Sequence, residues 1–255
     1  MPTNGNSLTL TAMYADGIAK QKLNVMLIVD TSRSMQGERI KQVNKAIFDI
    51  HKYLIDLQDE NSNVDFYMSI MTFAETADFL EGYKSVNVKD MIPPKLKVRG
   101  PSNLHCAYEA LVPALQKESA GGMMPDFGGV APIILLLTDG HASRSVKDQI
   151  EKLKSLPWFR ASLRYGIAIE LNDERTMGVL TDFTDDRTCV IECMEASTLS
   201  KLIRVIVVTA SKVKSQSSAM RLDKSSRSHS KSIIYSNPIK HEIAQRIDDI
   251  DEEDW

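Results

Sequence analysis

Cysteine is scarce in this chain: Cys106, Cys189 and Cys193 are the only three in 255 residues. That number excludes a disulfide framework and points to reduced thiols and a cytoplasmic setting. Cys189 and Cys193 stand four apart in an apparent strand, on one face. They read as a buried pair, since no second Cys/His pair stands near enough to suggest a metal or redox centre. Long apolar runs are missing too. None approaches the roughly 18 residues needed to cross a bilayer, so no membrane partner is expected. Met1 to Ala19 has neither a basic start nor a continuous apolar stretch, so no secretory signal is expected. Charge of one sign is also lacking. The 31 basic and 34 acidic residues leave a net −3, which gives no global reason to expect a nucleic acid as partner. Neither a Walker-type Gly-rich phosphate loop nor a Gly-x-Ser-x-Gly elbow occurs, which leaves an NTPase or a serine hydrolase with little support.

What is present is apolar in blocks. Leu23 to Asp30 shows almost no alternation, as in a strand buried on both faces. After Gly37 the period changes: Ile40, Val43, Ile47, Ile50, Leu54 and Leu57 form one stripe on an amphipathic helix. Val64 to Phe73 reads as the second strand and Ala74 to Phe79 as a short edge strand. Pro93-Pro94 opens a loop that runs to Ser102. Leu104, Tyr108, Leu111 and Leu115 predict a helix that Pro113 kinks or interrupts, and Gly121 to Gly129 a loop. Ile133 to Thr138 is a second fully buried strand. Val146 to Leu156 reads as a helix stopped by Pro157, Ser162 to Glu170 as a strand, Arg175 to Phe183 as a helix and Thr188 to Cys193 as the last strand. Ser197 to Val213 is assigned to a helix capped by Ser197. Its run Ile203 to Val208 is β-branched enough for a strand, but the strand–helix alternation requires a helix there.

The pattern predicts a three-layer, doubly wound α/β domain. Its sheet is six-stranded and mostly parallel, with one short antiparallel edge strand. The expected division is an N-terminal extension over 1–21, the domain over 22–214 and a flexible tail over 215–255. That tail is rich in Ser, Lys and Arg to Ser232 and acidic from Asp248 to Trp255.

Ligands of open α/β sheets gather outside the carboxyl ends of the strands. Asp30-Thr31-Ser32-Arg33-Ser34 ends the first strand and Thr138-Asp139-Gly140 the central one. A buried strand that carries a carboxylate to its tip needs a partner for it, and a cation serves. The bland alternative is that Asp-x-Ser-x-Ser only caps the helix or forms a turn. His105 and His141 follow the neighbouring loops and read as loop or helix-start residues. Cys106 beside His105 is no catalytic dyad, since adjacent helical residues point apart. Met123 and Met124 either face the binding surface or fold back as packing, and Glu75 and Asp78 belong to a solvated edge.

The Asp-x-Ser-x-Ser pattern of Asp30, Ser32 and Ser34 resembles the metal-ion-dependent adhesion site of von Willebrand factor type A domains, over roughly Lys22 to Lys214. In that family a second loop supplies a Thr, usually after Gly-Gly. Here the segment is Arg99-Gly100-Pro101-Ser102, so Ser102 takes that place and keeps the hydroxyl, while Pro101 is a departure. Asp139 matches the third loop. The resemblance implies a hard divalent ion, Mg²⁺ or Mn²⁺, held by Ser32, Ser34 and Ser102, with Asp30 and Asp139 acting through waters. It also implies a protein partner whose Asp or Glu completes the shell. Within the family, Asp30 to Asn44 looks most like bacterial intracellular members of the TerY type, linked to tellurite resistance and to Ser/Thr kinase and phosphatase systems.

The expected function is therefore a metal-dependent protein-binding module, not an enzyme. The enzyme alternative is a phosphatase of the haloacid dehalogenase class, which also places an Asp after the first strand. Such an enzyme usually needs a second acid two residues later, and position 32 is Ser.

Overall fold

The computed structural model describes residues 20–60, 64–126, 129–140, 146–170, 174–193 and 198–208. The expectations for the N-terminal extension, the tail, His141 and the Ser197 cap lie outside these residues.

Among the described residues, seven strands form one sheet: β1 (Gln21–Asp30), β2 (Val64–Phe73), β3 (Ala77–Phe79), β4 (Val86–Asn87), β5 (Ile133–Thr138), β6 (Leu163–Ile169) and β7 (Val190–Cys193). Their order is β3-β2-β1-β5-β6-β7, with β4 also paired to β2. The ladders joining β2, β1, β5, β6 and β7 are all parallel. The edge strand β3 is antiparallel to β2, as expected. It is shorter than the sequence suggests, because Ala74 turns back at once and donates its N–H to the Thr76 carbonyl, 3.0 Å away. The two-residue β4 adds a second antiparallel ladder on the same edge, beyond the six strands expected.

The helices are α1 (Glu38–Glu60), α2 (Leu104–Ala114), α3 (Lys147–Ser155), α4 (Pro157–Ala161) and α5 (Glu174–Thr184), and then α6 at 198–208. The absence of alternation in β1 has a direct cause. Leu23, Val25, Leu27 and Val29 point into one core with Val43, Ile47, Ile50 and Leu54 of α1 and with Leu199, Leu202, Ile203 and Ile206 of α6. Met26 and Ile28 point into a second core with Tyr108 and Leu111 of α2, Ile150 and Leu153 of α3, and Leu180 and Phe183 of α5. One strand thus serves two cores, and only apolar side chains suit both faces.

The β-branched run after Ile203 is helical, its apolar residues recurring at helical spacing on the face turned to α1. Pro113 lies in the final turn of α2. There its missing N–H costs one bond near the end, so it ends the helix without kinking the middle. Pro157 does stop α3, but it also begins α4, since its fixed φ suits a first helical position. Met123 and Met124 are buried. They line a small cavity of about 120 Å³ with Lys22, Asn24 and Pro132, at the starting ends of β1 and β5. That is the pole opposite the carboxyl ends, so the methionines do not face the predicted binding surface. Cys189, in the 3-10 turn that leads into β7, and Cys193, at the end of β7, are both buried in one core.

Candidate metal centre

The tips of β1, β5 and β6 lie side by side because these strands are parallel neighbours or next-neighbours. Asp30 is the last residue of β1 and has no solvent exposure. Its Oδ1 accepts the Ser32 backbone N–H at 2.8 Å, a local turn that bends the chain out of the strand. Its Oδ2 accepts two hydroxyls, Ser102 Oγ at 3.0 Å and Thr138 Oγ1 at 2.8 Å. The Ser32 and Ser34 hydroxyls lie 2.9 Å apart. Ser34 Oγ in turn donates to Asp139 Oδ1 at 2.8 Å. All five residues singled out in the sequence are thus joined in one hydrogen-bonded cluster drawn from three loops.

Backbone bonds set the spacing of those loops. Thr31 N–H donates to the Phe73 carbonyl at 2.8 Å, which ties the first loop to the end of β2. Arg33 N–H donates to the Gly100 carbonyl at 3.0 Å, and Arg99 N–H to the Thr31 carbonyl at 2.7 Å. The second loop is thereby laced along the first, which carries Ser102 to Asp30. Gly100 has φ +48, a left-handed conformation that favours glycine. A Cβ there would stand 3.3 Å from Glu75 Cβ. The third loop is set by Gly140 N–H, which donates to Thr138 Oγ1 at 3.0 Å, and by the Thr176 hydroxyl of α5, which donates to the Gly140 carbonyl.

The electrostatics of the two carboxylates differ. Asp30 meets one backbone N–H and two neutral hydroxyls. Burial, the largest influence, holds its carboxyl above the usual carboxylate range, against the opposing bonds from Ser32 and Thr138. Asp139 is equally buried, but a cation reaches it: Arg39 NH1 lies 2.9 Å from Asp139 Oδ2. The same nitrogen donates to the Ser34 carbonyl at 3.0 Å, and Arg39 Nε lies 2.9 Å from Glu170 Oε2 at the tip of β6.

Three members of the site were not singled out from sequence. Thr138 directly precedes Asp139 and looks like one more apolar-strand residue. Arg39 sits in the first turn of α1, where the helix dipole disfavours a cation; that misfit was the available signal. Glu170 follows β6 much as Asp139 follows β5, and the same strand-tip argument applies to it. The other candidates lie apart from the cluster. His105 Nε2 is 3.2 Å from Glu109 one turn along α2 and 3.3 Å from Gln149 Nε2 of α3. Cys106 Sγ accepts from Asn103 Nδ2. Glu75 and Asp78 are exposed.

Among the described residues, no three His, Cys, Asp or Glu side chains cluster as a metal site. The strand-tip cluster has a different donor chemistry, two carboxylates and a set of hydroxyls. Oxygen donors with little charge suit a hard divalent ion that retains part of its water shell. A doubly positive ion would also offset the desolvation of Asp30, which has no cationic neighbour among the described residues. The residues present fit such an ion.

Comparisons with known proteins bear on the family and the fold. A family model described as von Willebrand factor type A domain matches residues 24–204. Inter-alpha-trypsin inhibitor heavy chain H1 of Sus scrofa is 28% identical over 144 residues, 54% of this chain and 15% of its own length. Heavy chain H4 of Bos taurus is 26% identical over 150 residues, again 54% and 15%. This chain therefore spans only a small part of the curated relatives it matches. Among solved structures, a von Willebrand factor type A protein from Catenulispora acidiphila superposes with a TM-score of 0.52. It is 14% identical and covers 75% of this chain and 43% of its own. Proximal thread matrix protein 1 from the mussel byssus, with a zinc-occupied MIDAS motif, superposes with a TM-score of 0.50. It is 16% identical and covers 75% and 48%. At these identities the likeness is one of fold.

Proposed function

The chain belongs to the von Willebrand factor type A family, and we propose that it is a divalent-metal-dependent protein-binding module. Ser32, Ser34 and Ser102 hold the ion through their hydroxyl oxygens, with Asp30 and Asp139 behind them. A bound Mg²⁺ or Mn²⁺ supplies an open coordination position for an outside oxygen. The partner is a protein that presents an Asp or Glu at the carboxyl-end face of the sheet. The observation that carries this reading is the buried Asp30 carboxylate, which among the described residues meets hydroxyls and one backbone N–H and no cation. A group so placed is costly unless a positive charge joins it.

The binding role is favoured over hydrolysis by the residue at position 32. Its hydroxyl lies against Ser34, where a phosphatase of the haloacid dehalogenase class would usually carry a second acid to protonate the leaving group. No helix among the described residues is long and apolar enough to cross a membrane. On the scarcity of cysteine we place the protein in the cytoplasm. The likeness of Asp30 to Asn44 to the TerY type extends the proposal to a bacterial stress response such as tellurite resistance. There, Ser/Thr kinases and phosphatases act on the serines between Ser215 and Ser232.

Calorimetric titration with Mg²⁺ and Mn²⁺ tests the site. Wild type is expected to take up one ion. Asp30→Ala and Asp139→Ala abolish uptake while the circular dichroism spectrum is retained, and Ser102→Ala weakens it about tenfold, the loss of one ligand among several. No uptake by wild type overturns the reading. Capture of partners from native lysate with Mg²⁺ or with chelator tests the function. Metal-dependent turnover of a generic phosphomonoester that vanishes in Asp30→Asn would favour the enzyme instead.

A further inference from the structure

Arg39 has no place in the ligand set, yet it makes three contacts around it. NH1 bridges the Ser34 carbonyl and Asp139 Oδ2, at 3.0 and 2.9 Å. Nε reaches Glu170 Oε2 at 2.9 Å. The guanidinium therefore joins the first loop, the third loop and the tip of β6. It stands in the first turn of α1, where the helix dipole opposes a positive side chain. The carboxylates hold it there, and the hydrogen bond that it donates to Glu170 is the main influence keeping its pKa above the ordinary arginine value. Glu170 is itself fixed from behind. Its φ is +51, a left-handed value rare outside glycine, and its N–H donates to the Cys193 carbonyl of β7 at 3.0 Å.

The charges follow from this geometry. Asp139 directs Oδ1 to Ser34 and Oδ2 to the guanidinium, so one of its oxygens faces the hydroxyl cluster while the other is shared with a permanent cation. An ion held by that cluster meets a like charge on the far side of Asp139. Glu170 carries the opposite charge one bond further out. The side chains of Arg39 and Glu170 are 30% and 31% exposed, so solvent screens the effect without removing it.

We propose that Arg39 and Glu170 are a charge-setting pair for this site: Arg39 weakens cation binding and leaves the bound ion more positive toward an outside carboxylate, and Glu170 moderates Arg39. The inference rests on the metal-binding reading above. Its value to a binding module is direct. A site that neutralised its ion fully would hold metal tightly and attract no acidic partner, and the guanidinium prevents that outcome.

The test uses the fact that two substitutions break the same ion pair but change the charge in opposite senses. Full-length protein is titrated with Mn²⁺ alone, in low salt, by calorimetry. Arg39→Met is expected to bind Mn²⁺ roughly three- to tenfold tighter than wild type, and Glu170→Gln weaker by a similar factor, as for one unit charge a few ångströms away at a wetted rim. Arg39→Lys keeps the charge and is expected to stay within about threefold of wild type. A clip that mattered only for shape would make both Arg39→Met and Glu170→Gln bind more weakly, and that result, or two unchanged affinities, overturns the inference while leaving the metal site standing. No Mn²⁺ uptake by wild type overturns both readings together. If Arg39→Met does not fold, Glu170→Gln decides through salt. Its deficit against wild type shrinks between about 0.05 M and about 0.5 M salt if it is Coulombic, and a deficit that persists unchanged refutes the proposal.

Discussion

The candidate site depends on one unusual residue, a carboxylate with no exposure and, among the described residues, no cationic neighbour. Burial raises the Asp30 carboxyl above its ordinary value, so the folded chain holds that proton more tightly than the unfolded chain does. The stability linked to this group is fully present below the ordinary carboxylate range. It is lost as pH rises from there through the raised folded value. In chelator at neutral pH, Asp30→Asn is therefore expected to melt about 2–4 °C above wild type, the shift that roughly 1 kcal/mol brings in a domain of this size. Added Mg²⁺ raises the melting temperature of wild type and leaves that of the variant unchanged. Thermal denaturation in the four conditions checks both halves; a variant less stable than wild type in chelator would show that the buried charge carries no penalty. Asp30, Ser32, Ser34, Ser102 and Asp139 were legible together through the resemblance of their three loops to the von Willebrand factor type A pattern, and the structure joins them in one cluster. Arg39 and Glu170 were not, because an ion pair between α1 and the tip of β6 depends on strand order, which the sequence does not state.

At the scale of elements, the strands with the purest composition were the easiest to place. Val64–Phe73 and Ile133–Thr138 fall where the apolar runs stand. The short pieces were hidden. Two residues of β4 and five of α4 are too few to show a period, and both owe their form to a neighbour: β2 for the one, the proline after α3 for the other. Helix α6 was ambiguous because its β-branched run suits a strand locally, and packing against the core shared with α1 decides it. The loop carrying Ser102 shows how an element serves the site. Gly100 lets the chain turn with φ +48 while its carbonyl accepts from Arg33. Gly100→Ala combines backbone strain with a Cβ close against Glu75 and is expected to cost about 1–2 kcal/mol. Urea denaturation measures that loss, and calorimetry should show weakened Mn²⁺ uptake, since Ser102 follows two residues later. Full stability in the variant would mean that the loop tolerates another path.

On the scale of the whole molecule, a sheet with a helical layer on each face leaves one edge, the carboxyl ends, where loops from strands distant in sequence meet. The described residues already form both cores and the site. A chain cut after residue 214 is therefore expected to keep its melting temperature within about 2 °C of full length, well under what one lost core contact brings, with Mn²⁺ uptake unchanged. A large loss of either would assign the tail to the fold. The order of strands has a further consequence for how the protein is made. β1 lies in the interior of the sheet but is synthesised first, and Thr138 reaches Asp30 across 108 residues of chain. A ribosome thus releases a strand buried on both faces well before its second neighbour exists. The nascent chain must shelter that segment during translation, and the strand-tip cluster is completed only once Thr138 and Asp139 have emerged.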